Sequence, residues 1–111
     1  MSKVKLAISG CMGRMGQQLV KSSRIDKSFK LTALTENRLI KKNIAGIKPS
    51  LNRENSFKNV DLIIDFTIPK CTFEILKIAS KLKKRVVIGT TGFSKKEELQ
   101  IKKFSKKIPI L

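Results

Sequence analysis

Val4, Leu6 and Ile8 alternate with polar or small residues, the period of a half-buried strand, and predict a first strand over 3–9. From Arg14 the period changes. Met15, Leu19, Val20 and Ile25 recur at helical spacing and predict a helix over 13–24. Phe29, Leu31, Ala33 and Leu34 make a second strand ending near Glu36. Residues 37–59 are polar and irregular, broken by Gly46 and Pro49, and read as a long connection with room for one short strand or helical turn. The run VDLIIDF, 60–66, is apolar and of strand length, as expected for a strand covered on both faces. Pro69 then opens a helix carrying Phe73, Leu76, Ile78, Ala79 and Leu82. RVVIG, 85–89, is another buried strand. Ser94 with Glu97 forms a capping box for a last helix whose apolar face is Ile101, Phe104 and Ile108, with Glu98 four residues before Lys102. IPIL, 108–111, reads as the opening of one more strand. Strands alternating with helices at these intervals predict an α/β fold: an open, mostly parallel sheet with right-handed crossovers and helices on both faces.

With 111 residues and 41% hydrophobic content, the chain has the size and composition of one small globular domain, 1–111. No apolar run approaches the roughly 18 residues of a membrane span. The net charge of +17 raises nucleic acid or an anionic surface as a partner. Its make-up argues against both. Twenty of the 25 basic residues are lysines and five are arginines, the lysines are spread over most polar positions, and there is neither tyrosine nor tryptophan for a stacking platform. Cys11 and Cys71 stand 60 positions apart, without a CxxC pair and without any histidine in the chain. That excludes zinc-ligand spacing and a Ser-His or Cys-His catalytic pair within these residues, and predicts two reduced thiols in a cytoplasmic protein. No metal site is expected.

In an open parallel sheet, ligands bind beyond the carboxyl ends of the strands. Four segments fall there: 10–16, 36–38, 66–72 and 89–93. The first is GCMGRMG. Gly10 allows a sharp turn off the strand, Gly13 leaves backbone N–H groups open to a pyrophosphate, and Gly16 lets the helix pack close to the sheet. Arg14 adds a charge at the helix start. The spacing departs from G-x-G-x-x-G because Met12 and Met15 take two of its places. A glycine turn alone is weak evidence, since most such turns are purely structural. Its position between a first strand and a helix strengthens it, as does Glu36, 20 residues after Gly16 at the end of the second strand, where a carboxylate accepts from a ribose 2′-OH. Thr67 and Thr72 also read as plain helix-start caps, and GTTG as a plain strand-to-helix turn.

Taken together, GCMGRMG at 10–16, Glu36, IDFTIPKCT at 64–72 and VIGTTGF at 87–93 resemble, in order along the whole chain, the dihydrodipicolinate reductase family. The resemblance implies a Rossmann-like dinucleotide-binding domain and an NAD(P)H-dependent reductase that makes tetrahydrodipicolinate for lysine and diaminopimelate synthesis. It implies that the pyrophosphate lies on Gly10, Cys11, Met12, Gly13, Arg14 and Met15, and that Glu36 holds the adenosine ribose. Gly89, Thr90 and Thr91 would border the nicotinamide, with Phe66 and Thr67 beside them. Family members often carry arginine directly after the glutamate, where it meets the 2′-phosphate of NADPH. Here that place is Asn37, with Arg38 one step later, so both NADH and NADPH are expected to bind.

The family's catalytic histidines and lysine, and the residues gripping its dicarboxylate substrate, belong to a C-terminal substrate domain that nothing here matches. The chain is therefore expected to be a fragment truncated before that domain, inactive alone and with no catalytic residue assigned. Lys70 and Thr91 lie near enough to touch a substrate. The family's homotetramer, built largely through the missing domain, is not expected of this chain by itself. A basic nucleic-acid- or surface-binding module and the Rossmann domain of another dehydrogenase stand as the alternatives.

Overall fold

A computed structural model describes residues 3–111. Four parallel strands, β1 (Val4–Ser9), β2 (Phe29–Thr35), β3 (Leu62–Asp65) and β4 (Arg85–Ile88), lie in the order β2-β1-β3-β4. Between them run α1 (Arg14–Ile25), a single turn α2 (Glu54–Phe57), α3 (Pro69–Leu82) and, after β4, α4 (Lys95–Phe104). The crossover direction reverses at β1, which leads out to β2 and back to β3. That reversal opens a crevice at the carboxyl ends of β1 and β3, where ligands of such sheets bind.

The strand alternation sorts the apolar residues into two cores. Leu6, Ile8 and Leu34 pack with Val20 of α1 on one face. Ala7, Ile63 and Val86 pack with Phe57, Ile75, Leu76 and Ala79 on the other. Helices cover both faces, as the sequence predicts. In β2 the pairing with β1 shifts by one residue between Leu31 and Ala33, so Thr32 is extra. The shift returns Leu34 to the same core as Phe29 and Leu31, an arrangement strict alternation would not give.

The connection 37–59 is more ordered than its polarity suggests. Ala45 and Gly46, both at positive φ, form a two-residue turn closed by reciprocal Ile44–Ile47 backbone hydrogen bonds of 2.8 and 2.9 Å. Ser50 pairs with Thr35, and α2 then drops Phe57 fully into the core. At the other end of the chain, α4 stops at Phe104 and does not extend through Ile108. Ile108 precedes proline, which disfavours helical backbone there. It is nonetheless buried, reached by the turn after the helix. Ile110 pairs with Val86 in parallel, so the expected start of a further strand lies along the free edge of β4.

Close backbone approaches hold the crevice together. A Cβ at Gly16 would overlap the Gly10 carbonyl, and one at Gly10, whose φ is +83°, would overlap the Phe66 carbonyl. At Gly13 the nearest atom to an added Cβ is 3.5 Å away, ordinary contact, and its φ of −73° suits any residue. Gly16→Ala is therefore expected to lower stability by about 2 kcal/mol or more, and Gly13→Ala by no more than about 1 kcal/mol. Urea midpoints of the two variants check the contrast.

Candidate functional site

Backbone geometry makes the N-terminus of α1 a donor cluster. Gly13 is the residue before its first turn, and the first intrahelical bond runs from Gln17 N–H to Gly13 C=O at 2.9 Å. The N–H groups of Arg14, Met15 and Gly16 precede that bond and have no intrahelical acceptor. Partial positive charge accumulates there, and the Arg14 and Met15 side chains are solvent-exposed. Gly13, Gly10, Glu36, Asn37, Phe66, Thr67 and Ile68 line an open cleft of about 190 Å³ beside it.

Glu36 reaches this cleft from the end of β2. One carboxylate oxygen accepts the Met12 N–H at 3.0 Å, and the other accepts the Asn37 N–H at 3.1 Å. The carboxylate thus ties the glycine turn to the second strand. Each oxygen keeps a lone pair for a further donor such as a ribose hydroxyl. Asn37, not Arg38, lines the cleft, and Arg38 stands exposed one residue on. Met12 is half-buried, while Cys11 is wholly buried under the turn, its N–H donating to the Thr35 carbonyl at 3.3 Å.

Phe66 joins the remaining loops. Its carbonyl presses on Gly10, and its ring covers Gly89 so closely that a Cβ there would overlap it. Gly89 N–H donates to the Asp65 carbonyl at 2.7 Å. Thr91 is exposed, whereas Thr90 is buried and turns its hydroxyl inward, to Asp65. Of the residues singled out in the sequence, Gly10, Gly13, Glu36 and Phe66 therefore line one cleft and Gly89 packs on the Phe66 ring, while Arg38 and Thr91 are exposed outside that lining and the Thr90 side chain lies behind the surface.

Asp65 is the residue the sequence reading passed over. It is fully buried at the end of β3 and accepts from the Thr67 N–H, the Thr67 hydroxyl, the Thr72 hydroxyl and the Thr90 hydroxyl. The threonines at 67 and 72 do not cap α3 with their side chains; the cap position is Ile68. The available signal was one acid ending an otherwise apolar strand, followed by hydroxyl residues in the next loop, in α3 and in the loop after β4. Among the described residues no cluster of histidine, cysteine and acids could hold a metal ion, and no helix is long and apolar enough to cross a membrane.

Burial pushes the Cys11 thiol up to about 11, with the Glu36 charge adding to it, and burial followed by the Glu74 charge raises Cys71 as well. Neither thiol is a nucleophile near neutrality. A raised folded-state value favours the protonated, folded form: the contribution is complete below the ordinary value of 9.0 and is lost as pH rises toward 11. The native chain is expected to resist iodoacetamide at pH 8, both cysteines reacting at the rate of unfolding, with mass spectrometry as the readout. Fast labelling of Cys11 in the folded chain would contradict its placement.

Residues 4–111 match the family described as dihydrodipicolinate reductase, N-terminus. A 4-hydroxy-tetrahydrodipicolinate reductase of Pelagibacter ubique (strain HTCC1062) is 72% identical over the whole chain, which spans 43% of that relative's length. The enzyme of the same name from Buchnera aphidicola subsp. Acyrthosiphon pisum (strain Tuc7) is 41% identical over 98% of this chain and 45% of its own. The chain thus spans less than half the length of these curated relatives. In solved structures, a dipicolinate-bound dihydrodipicolinate reductase from Paenisporosarcina sp. TG-14 superposes with a TM-score of 0.75 at 24% identity, over 94% of this chain and 43% of that one. A biliverdin reductase from Synechocystis sp. PCC 6803, in complex with biliverdin and NADP+, reaches 0.76 at 18% identity, over 98% of this chain and 37% of that one. These last two likenesses establish a Rossmann-like fold and no more. The match over residues 4–111, together with the glycine turn, Glu36 and the Phe66 and Gly89 loops, means that the chain belongs to the dihydrodipicolinate reductase family, as its N-terminal, dinucleotide-binding part.

Proposed function

We infer that this chain forms the cofactor-holding part of a cytoplasmic NAD(P)H-dependent reductase that converts 4-hydroxy-tetrahydrodipicolinate to tetrahydrodipicolinate in lysine and diaminopimelate synthesis. The observation that carries the reading is Gly13. Neither its φ nor its surroundings demand glycine, yet it holds the cap position of the helix beside the cleft, where a capping side chain would take up the free N–H groups itself. A ligand pressed against backbone explains the bareness.

A dinucleotide fits the remaining groups. The Arg14, Met15 and Gly16 N–H groups face negative charge favourably, and the Arg14 guanidinium adds a charge-assisted donor for a pyrophosphate. Glu36, steadied by two backbone N–H groups, offers its free lone pairs to the adenosine ribose. Asn37 in place of a cation beside it leaves room for NADH, and Arg38 reaches a 2′-phosphate from the rim, so both forms bind. The cofactor, when bound, supplies the hydride. Phe66, Gly89 and Thr91 border the nicotinamide end and keep water from one side of it. With no histidine among its 111 residues, the chain leaves proton donation and the grip on the dicarboxylate to the longer polypeptide of its relatives, along with any tetramer.

Titration of the purified chain with NADH and NADPH at about 50 and 200 mM salt tests the reading. Saturable binding that weakens only a few-fold across that range is expected, because a polyanion complex resting on lysines would lose about a thousandfold or more. Gly13→Asp should abolish binding without unfolding the chain, and Arg38→Ala should weaken NADPH more than NADH. A folded chain that binds neither cofactor overturns it.

A further inference from the structure

Burying a carboxylate is costly unless donors surround it, and an apolar residue would suit the end of β3 better than an acid does. Asp65 has no basic side chain within ion-pair distance among the described residues. It has four donors from three elements instead. Thr67 lies on the loop after β3, Thr72 in α3, and Thr90 on the loop after β4. Thr90 does more than donate. Its oxygen also accepts the Thr67 N–H at 2.9 Å, an N–H shared with Asp65 at 3.1 Å. Carboxylate, hydroxyl and amide close a small ring that spans the gap between two loops belonging to different strands.

Those two loops border the cleft. Thr67 and Phe66 line it, and Gly89, the neighbour of Thr90, sits under the Phe66 ring. We propose that Asp65 is a positioning residue: through Thr67 and Thr90 it fixes the spacing of the two loops that hold the nicotinamide end of the cofactor. The assignment rests on the cofactor reading above. Neither Asp65 nor Thr90 needs to touch the cofactor, since Asp65 is fully buried and Thr90 is 8% exposed. Their work is to hold Phe66, Gly89 and Thr91 in one arrangement before binding, so that less ordering is required when the ligand arrives.

Thr90→Val is the decisive variant, because it keeps shape and removes only the bridging hydroxyl. It should stay folded and bind NADPH about tenfold more weakly. Thr90→Ser, which restores the hydroxyl, should bind within about twofold of wild type. In the double variant with Asp65→Ala, adding Thr90→Val should cost no further affinity, because both changes break one device. Amide exchange supplies a readout that needs no ligand: the Thr67 N–H should exchange faster in Thr90→Val while Ile63 in β3 keeps its protection. Wild-type affinity or an unchanged Thr67 exchange rate in folded Thr90→Val overturns the proposal and leaves the cofactor reading standing. Failure of the wild-type chain to bind NADH or NADPH overturns both.

Discussion

The chain passes Phe66 on two sides with no room for a side chain, and the rest of the site follows from that crowding. Gly10 meets the Phe66 carbonyl and Gly89 meets its ring. Gly16 in turn packs on the Gly10 carbonyl, which brings α1 down onto the sheet and aims its first N–H groups into the crevice. Backbone crowding thus requires glycine at 10 and 16, and the Phe66 ring as placed leaves no room for a side chain at 89. These three glycines set the loops after β1, β3 and β4 around one aromatic residue at the point where the strand order reverses. Gly13 differs from them, and the difference separates scaffold from binding surface.

Polar groups then fasten what the glycines bring together. Glu36 ties the turn after β1 to the end of β2, and Asp65 ties the loop after β3 to the one after β4. Both are acids at strand ends accepting backbone N–H groups, one at the cleft and one behind it. In a chain with a net charge of +17, the exposed ion pair Lys81–Glu54 contributes little, whereas these carboxylates organise loops through hydrogen bonds.

The architecture was legible where periodicity was strong. Val4, Leu6 and Ile8 announced β1, the apolar runs at 60–66 and 85–89 announced β3 and β4, although β4 is an edge strand in which only Val86 is buried, and Ser94 with Glu97 formed the expected capping box. The glycine turn and Glu36 were legible as a site because each residue type had a separate physical reason to be there. Other features were hidden for equally physical reasons. Phe57 is an isolated apolar residue in a polar stretch, so no period points to its burial. The extra residue at Thr32 interrupts alternation in β2. Asp65 escaped notice because its partners lie 2, 7 and 25 positions away, and only the fold makes them neighbours.

The central claim is that the bare turn before α1 receives a dinucleotide. An amide NMR titration with NADPH tests it most directly. The account predicts that the Gly13, Arg14, Met15 and Gly16 N–H signals move together and saturate, followed by Thr67 and Gly89, while those of the lysine-rich α4 stay in place. Shifts concentrated on α4 with an unmoved glycine turn would contradict it, and would assign the ligand to the chain's surface charge.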